Sequence, residues 1–157
     1  MSFLLRISKA FETYKVPYAL VGGYAVALHG AVRGTVDIDC IIEHSEVHFV
    51  ACEKALLSIG LTPRLPVSAH EVFQFRAEYI ARRNLIAWGF YNPANPVEVV
   101  NVVITRDLAE LKAVNLRYGI EKVCVLTVPD LIEMKRASGR PQDLEDIKML
   151  EGLHGKK

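Results

Sequence analysis

The chain has 157 residues, 51% apolar and 24% charged, an ordinary globular composition with enough length for one domain and a buried core. Nineteen basic residues against 18 acidic ones leave a net charge of +1. This excludes the strong basic excess of a broad phosphate-backbone footprint but not a local basic pocket. No run approaches the roughly 20 apolar residues of a membrane span, and Cys40, Cys52 and Cys124 fit neither a disulfide framework nor a zinc pattern, reading instead as free thiols of a reducing cytoplasm.

Phe3-Leu4-Leu5 begins like a signal peptide, but Arg6, Lys9 and Glu12 interrupt it and no small-residue cleavage site follows. Leu4, Ile7, Phe11 and Tyr14 recur at helical spacing, so residues 3–15 are predicted as an amphipathic helix ended by Pro17. Tyr18–Val21 reads as a strand, Gly22-Gly23 as a turn, and Tyr24–His29 as the start of a second helix. A loop with Arg33 and Thr35 leads into an apolar strand over Val36–Ile42. Ser45 is the expected N-cap of a helix closed by Gly60, with Val47, Val50, Leu56, Leu57 and Ile59 as its apolar positions.

Three strands are predicted next, over Glu71–Arg76, Leu85–Tyr91 and Val97–Ile104. The last is nearly continuous in β-branched residues and reads as a central strand covered on both faces. A short helix is expected over Asp107–Ala113 and a strand over Val123–Val128. Thr127-Val128-Pro129-Asp130 has the form of a capping box with proline in the first turn, opening a helix that Ser138-Gly139 closes. Pro141 starts a last helix with Leu144, Ile147 and Leu150 on one face. Alternating helices and apolar strands give an α/β or α+β class, one domain over residues 1–157.

Chemistry concentrates where Gly22-Gly23 leaves one apolar run and, after thirteen intervening residues, Asp37-Ile38-Asp39 enters another. Side chains two apart on a strand share a face, about 6.6 Å apart along it. Two acids so placed need a cation or donors to offset their repulsion. A hard divalent ion prefers such oxygens together with a phosphate, and paired glycines let a phosphate approach bare backbone. Glu98 is a carboxylate inside a buried-looking strand. It calls for a basic partner, a sheet edge, or a place beside Asp37 and Asp39 around metal. Three carboxylates can hold two divalent ions about 4 Å apart.

These residues resemble the nucleotidyltransferases of the polymerase-β-like superfamily: Val21-Gly22-Gly23, then Asp37-x-Asp39, then a third acid on a later strand, here Glu98. Ala25, His29-Gly30, Arg33-x-Thr35, Asp130–Lys135 and Gly139–Asp146 narrow the resemblance to bacterial AbiEii-type toxins. The resemblance implies the nucleotidyltransferase fold, a mixed central sheet flanked by helices. It implies Asp37, Asp39 and Glu98 as the catalytic and metal-holding triad for Mg²⁺ or Mn²⁺. Gly22, Gly23 and Lys135 would hold the nucleotide. For Arg33 a surface cation and a phosphate-steering or aspartate-bracing role stand equal; Thr35 either contacts Asp37 or suits a strand start. The activity implied is transfer of a nucleoside monophosphate from an NTP to a hydroxyl of tRNA or protein, as the toxin of a toxin–antitoxin pair. The partners implied are NTP, the acceptor and an antitoxin protein. The rival readings are a degenerate module that holds nucleotide or a partner without turnover, motivated by Glu98 in place of aspartate, and a homodimerisation unit.

Several residues have plainer readings. Arg140, Asp143 and Asp146 are expected to pair among themselves, with Asp143 favouring its helix N-terminus. Trp88, Phe90 and Tyr91 are expected in the core or an interface, and His44 and His48 at the surface.

Overall fold

The computed structural model describes residues 1–31 and 34–154. Its strands are β1 (Tyr18–Val21), β2 (Ile38–Ile42), β3 (Thr62–Pro63), β4 (Ala87–Asn92), β5 (Asn95–Val103), β6 (Ala113–Tyr118) and β7 (Glu121–Leu126). Its helices are α1 (Phe3–Thr13), α2 (Gly22–Leu28), α3 (Glu46–Ser58), α4 (Ala69–Gln74), α5 (Arg76–Arg83), α6 (Val128–Ser138) and α7 (Pro141–His154). The strands form one mixed sheet in the order β3-β4-β5-β2-β1-β7-β6. β1 runs antiparallel to β2 and parallel to β7, and β2 runs parallel to β5. Among the described residues no helix is long and apolar enough to cross a membrane.

Two rows of residues crossing the sheet explain its two faces. Trp88, Val102, Cys40, Leu20 and Val125 lie opposite one another on β4, β5, β2, β1 and β7, and each is at most 2% exposed. Phe49 of α3 stacks on Trp88 at 5.8 Å between ring centroids, and Phe11 of α1 meets Tyr18 at 5.0 Å. This face therefore carries α1 and α3 over the buried apolar row. The next row is Gly89, Asn101, Asp39 and Val21. Because side chains alternate along a strand, it belongs to the opposite face. Polar residues enter the sheet there, and the cleft described below opens over the Val21 and Asp39 end of this row.

The helix and strand expectations hold where periodicity was long, and fail at short segments. Residues 71–76 are not a strand: 71–74 belong to α4, Phe75 is a turn, and Arg76 opens α5. Ser68 accepts the Glu71 amide at 3.2 Å, Glu71 accepts the Ser68 amide at 3.1 Å, and Glu53 of α3 takes the Ala69 amide at 3.1 Å. These reciprocal caps nucleate α4, and α5 follows it unforeseen. The helix expected over 107–113 shrinks to a 3₁₀ turn, Leu108–Glu110, and β6 begins at Ala113. The capping box at Thr127 does not form. Thr127 makes no side-chain cap bond, and Asp130 instead accepts the Lys112 amide at 2.7 Å.

β2 starts at Ile38, so Val36 and Asp37 precede the strand. In β5, Asn95–Val97 are exposed, so only its second half is a covered strand. Val47 and Leu57 of α3 face solvent, while Phe49, Cys52, Ala55 and Leu56 are its core face. In α7, Leu144 is 51% exposed, whereas Ile147 and Leu150 are buried.

Phe49→Ala should lower unfolding free energy by about 3–5 kcal/mol, since a large buried ring leaves a cavity. Leu144→Ala should change it by less than about 0.5 kcal/mol, as a surface substitution does. Urea unfolding of both variants checks the pair; equal losses would contradict the face assigned to α7.

Candidate active site

The cleft begins at the β1–α2 junction. Gly22 has φ +68°, in the left-handed region, and a Cβ there would lie 2.3 Å from Asp39 Oδ2. The backbone therefore passes directly over the Asp39 carboxylate, an approach open only to glycine. A Cβ on Gly23 would meet Thr35 at 2.8 Å. Thr35 Oγ1 donates to the Asp37 carbonyl at 3.4 Å, steadying the turn into β2. The expected Gly-Gly turn is thus the first turn of α2, pressed onto the segment that carries both aspartates.

Asp39 is half-buried on β2, and Asp37 is exposed just before the strand. Burial raises the Asp39 carboxyl above its usual range. The Asn101 hydrogen bond opposes this, the Asp37 charge adds to it, and the Lys135 and Arg140 charges oppose it. Asn101 Nδ2 donates to Asp39 Oδ1 at 3.0 Å. A nearby cation would favour the ionised form, so Asp37 and Asp39 are the residues that could hold one.

Glu98 does not join them. It precedes Asn101 by three residues, at the irregularity where β4–β5 pairing shifts register. It pairs with Arg6 of α1 and accepts from Asn92 Nδ2 at 2.9 Å. The position opposite Asp39 belongs to Asn101. The strand alternation that sets Asn101 beside Asp39 turns Glu98 to the α1 face, where a basic partner answers its charge. Among the described residues no group of three or more His, Cys, Asp or Glu side chains gathers to hold a metal ion.

The far wall comes from α6 and α7. The cleft holds about 380 Å³ and is lined by Val21, Gly22 and Asp39 from one side and by Lys135, Arg140 and Asp143 from the other. Ile86, Val103, Leu131 and Met134 form an apolar part of the lining. That volume lies within the range of small-molecule sites. Lys135 is buried, with its Nζ 2.9 Å from Asp146 and 3.6 Å from Asp143. Gln142 donates to the other Asp146 oxygen at 3.0 Å. Arg140 Nε donates to Asp143 at 2.9 Å, and its backbone amide donates to the same carboxylate at 3.2 Å.

Burial pushes the Asp143 carboxyl up, but hydrogen bonds from Arg140 and Ser138 outweigh it and hold the group below its usual range. The bond to Asp143 in turn raises the Arg140 guanidinium. Two cations and two acids so arranged satisfy the rule that buried charges are paired. Lys135 reaches the cleft, then, with its charge already engaged by α7. The expected pairing of Arg140 with Asp143 is found, while Asp146 belongs to Lys135 and Gln142.

Arg33 lies outside the described residues. His44 and His48 are half-buried, not at the surface; His44 packs on Phe49 at 5.4 Å and burial lowers its pKa. Trp88 and Phe90 are in the core as expected. The residue that sequence reasoning passed over is Asn101. Its signal was available, because Glu98 and Asn101 are the two polar residues of Val97–Ile104, and a register fixed on Asp39 selects the second.

By sequence, no family model matches the chain and no curated protein matches it. Several solved structures match by shape. The antibiotic-resistance factor ANT(2'')-Ia superimposes with TM-score 0.65 at 13% identity, over 96% of this chain and 81% of that one. The lincosamide antibiotic adenylyltransferase LnuA, with lincomycin bound, gives TM-score 0.62 at 17% identity over 96% of each chain. An antigenic nucleotidyltransferase-like protein from Paracoccidioides brasiliensis gives 0.60 at 18% identity, over 96% and 73%. With a mixed seven-stranded sheet flanked by helices and these neighbours, the chain has the nucleotidyltransferase fold.

Proposed function

We propose that the chain is an NTP-dependent nucleotidyltransferase that moves a nucleoside monophosphate to a hydroxyl acceptor in the Gly22–Asp39 cleft. The observation that carries this reading is the bare Gly22 backbone laid over the Asp39 carboxylate, opposite the α6–α7 wall. The neighbouring folds belong to proteins described as adenylyltransferase and nucleotidyltransferase-like, and ANT(2'')-Ia has also been solved with adenylyl-2''-tobramycin, which supports the same class of transfer.

The residues fit a hard divalent cation such as Mg²⁺ or Mn²⁺: a carboxylate pair, and a cradle beside it that any Cβ at Gly22 would fill. Asp37 and Asp39 would hold it. Bound there, it would offset the charge of the triphosphate and of the leaving pyrophosphate. The chain's own part is positioning and electrostatics. Gly22 and Gly23 present backbone without side chains to the phosphates. Lys135 and Arg140 lower the electrostatic cost of anions near Asp39. Ile86, Val103, Leu131 and Met134 offer the apolar surface a nucleobase or an acceptor needs. The acceptor hydroxyl would lose its proton to solvent as its oxygen bonds the α-phosphorus, and the bond from that phosphorus to the bridging oxygen would break, releasing pyrophosphate.

The acceptor classes are those suggested by the AbiEii-type resemblance, tRNA or a protein side chain, and a small hydroxyl compound of the kind that the neighbours' complexes contain. The toxin role and an antitoxin partner rest on that resemblance. One observation favours a second reading, in which the chain holds nucleotide without turnover: an amide, Asn101, stands at the position facing Asp39.

Each NTP labelled at the α-phosphate, with Mg²⁺ and with or without bulk tRNA, tests both. Label on tRNA, on protein or on a small acceptor, with pyrophosphate released, supports transfer and names the acceptor class. Nucleotide-induced thermal stabilisation without pyrophosphate supports the second reading; neither effect in folded protein overturns both. Asp39→Asn should cost transfer about 10²-fold or more while the protein stays folded. Glu98→Gln should keep transfer within about threefold and lower stability by about 1 kcal/mol, the worth of a part-exposed ion pair. A loss with Glu98→Gln equal to that with Asp39→Asn would restore Glu98 to the site. Gly22→Ala should also cost transfer about 10²-fold, because it displaces Asp39 by an ångström or so.

A further inference from the structure

We propose that Asn101 occupies the place of a third carboxylate beside Asp39, and that the site therefore takes one divalent cation, not a pair. This rests on the nucleotidyl-transfer reading and specifies how its site is loaded. Asp39 and Asn101 are directly opposite in the parallel β2–β5 pairing, so they share a face and lie within reach of one another. Asn101 Nδ2 points at Asp39 Oδ1, 3.0 Å away.

That orientation is chemically determined. An amide NH₂ carries hydrogens and no free lone pair for a cation. The opposite orientation would set the amide oxygen against a carboxylate oxygen, two acceptors facing each other. The Asn101 oxygen lies instead toward Gly89, where a Cβ would come within 3.5 Å of it. Asn101 thus uses one Asp39 oxygen as a hydrogen-bond acceptor and offers no ligand in return. The other, Oδ2, is the one directly beneath Gly22.

A pair of divalent ions about 4 Å apart needs bridging carboxylates to offset four positive charges. The described residues supply Asp37 and Asp39. Glu98 is engaged by Arg6 and Asn92 on the other side of the sheet, and Asp143 and Asp146 are engaged by Arg140, Lys135 and Gln142. Substituting the amide by a carboxylate at position 101 replaces the donor to Asp39 with a second oxygen and a negative charge where the register already points them. One substitution should therefore convert the loading.

The experiment counts Mn²⁺ bound to the full chain by the loss of the free-ion electron paramagnetic resonance signal. It compares wild type, Asn101→Asp, Asn101→Ala and Asp39→Asn, each shown to be folded by circular dichroism. The expected counts are one per wild-type chain, one for Asn101→Ala and two for Asn101→Asp. Affinity at the first site should rise tenfold or more in Asn101→Asp, and binding should be lost in Asp39→Asn. Two ions on the wild type, or one on folded Asn101→Asp, overturns the inference and leaves the transferase reading standing. No binding by any variant, or undiminished binding by Asp39→Asn, overturns both. Should Asn101→Asp fail to fold, the wild-type count still decides: one supports the inference and two overturns it.

Discussion

The structure turns on the parallel register between β2 and β5. Asp39 faces Asn101 and Cys40 faces Val102, and that pairing decides which residues of both strands meet the core and which meet the cleft. A slip of one residue would carry Asp39 into the apolar layer of Trp88, Leu20 and Phe49, and bring Cys40 to the cleft. The core holds the register in place. Val102, Cys40 and Leu20 are fully buried in one row across three strands, and a shift would cost each its burial. An apolar row on one face thus positions a polar row on the other.

The second constraint is the charged contact between α6 and α7. Lys135 is buried where its ammonium would be expensive alone, and Asp143 and Asp146 are buried where their carboxylates would be. Together with Arg140 they neutralise one another and join the two helices, which form the wall facing Asp39. The same cations lower the Asp39 carboxyl against the pull of burial. The wall is therefore both a structural joint and an electrostatic partner of the cleft. Removing one member leaves a buried charge without its counterpart, so the joint and the site are sensitive to the same changes.

Much of this was legible in the residues. Leu4, Ile7 and Phe11 marked α1, and Ser45 and Gly60 bounded α3, because periodicity and caps are local. The order Gly22-Gly23, Asp37, Asp39 pointed to the cleft because a glycine pair and paired acids each have a specific physical use. The failures were non-local. Glu71–Arg76 alternates like a strand, but Ser68 and Glu71 cap one another and Glu53 caps them from α3. Glu98 was the conspicuous acid in its strand, yet its placement depended on an Arg6 ninety-two residues away and on a register that no single segment contains. Lys135 was expected at the nucleotide, and the two acids that α7 folds over it come from a helix its own segment does not contain. Asn101 went unremarked because an amide inside a β-branched run has no chemistry until its neighbour across the sheet is known.

The most direct test of the account is where a bound cation sits. A ¹⁵N-labelled chain of this size is suited to measuring amide line broadening by substoichiometric Mn²⁺, with and without nucleotide. Broadening should centre on Gly22, Asp39 and Asn101 and deepen when nucleotide is added. Broadening centred on Glu98 and Arg6, or none at the Gly22–Asp39 cleft, would contradict the account.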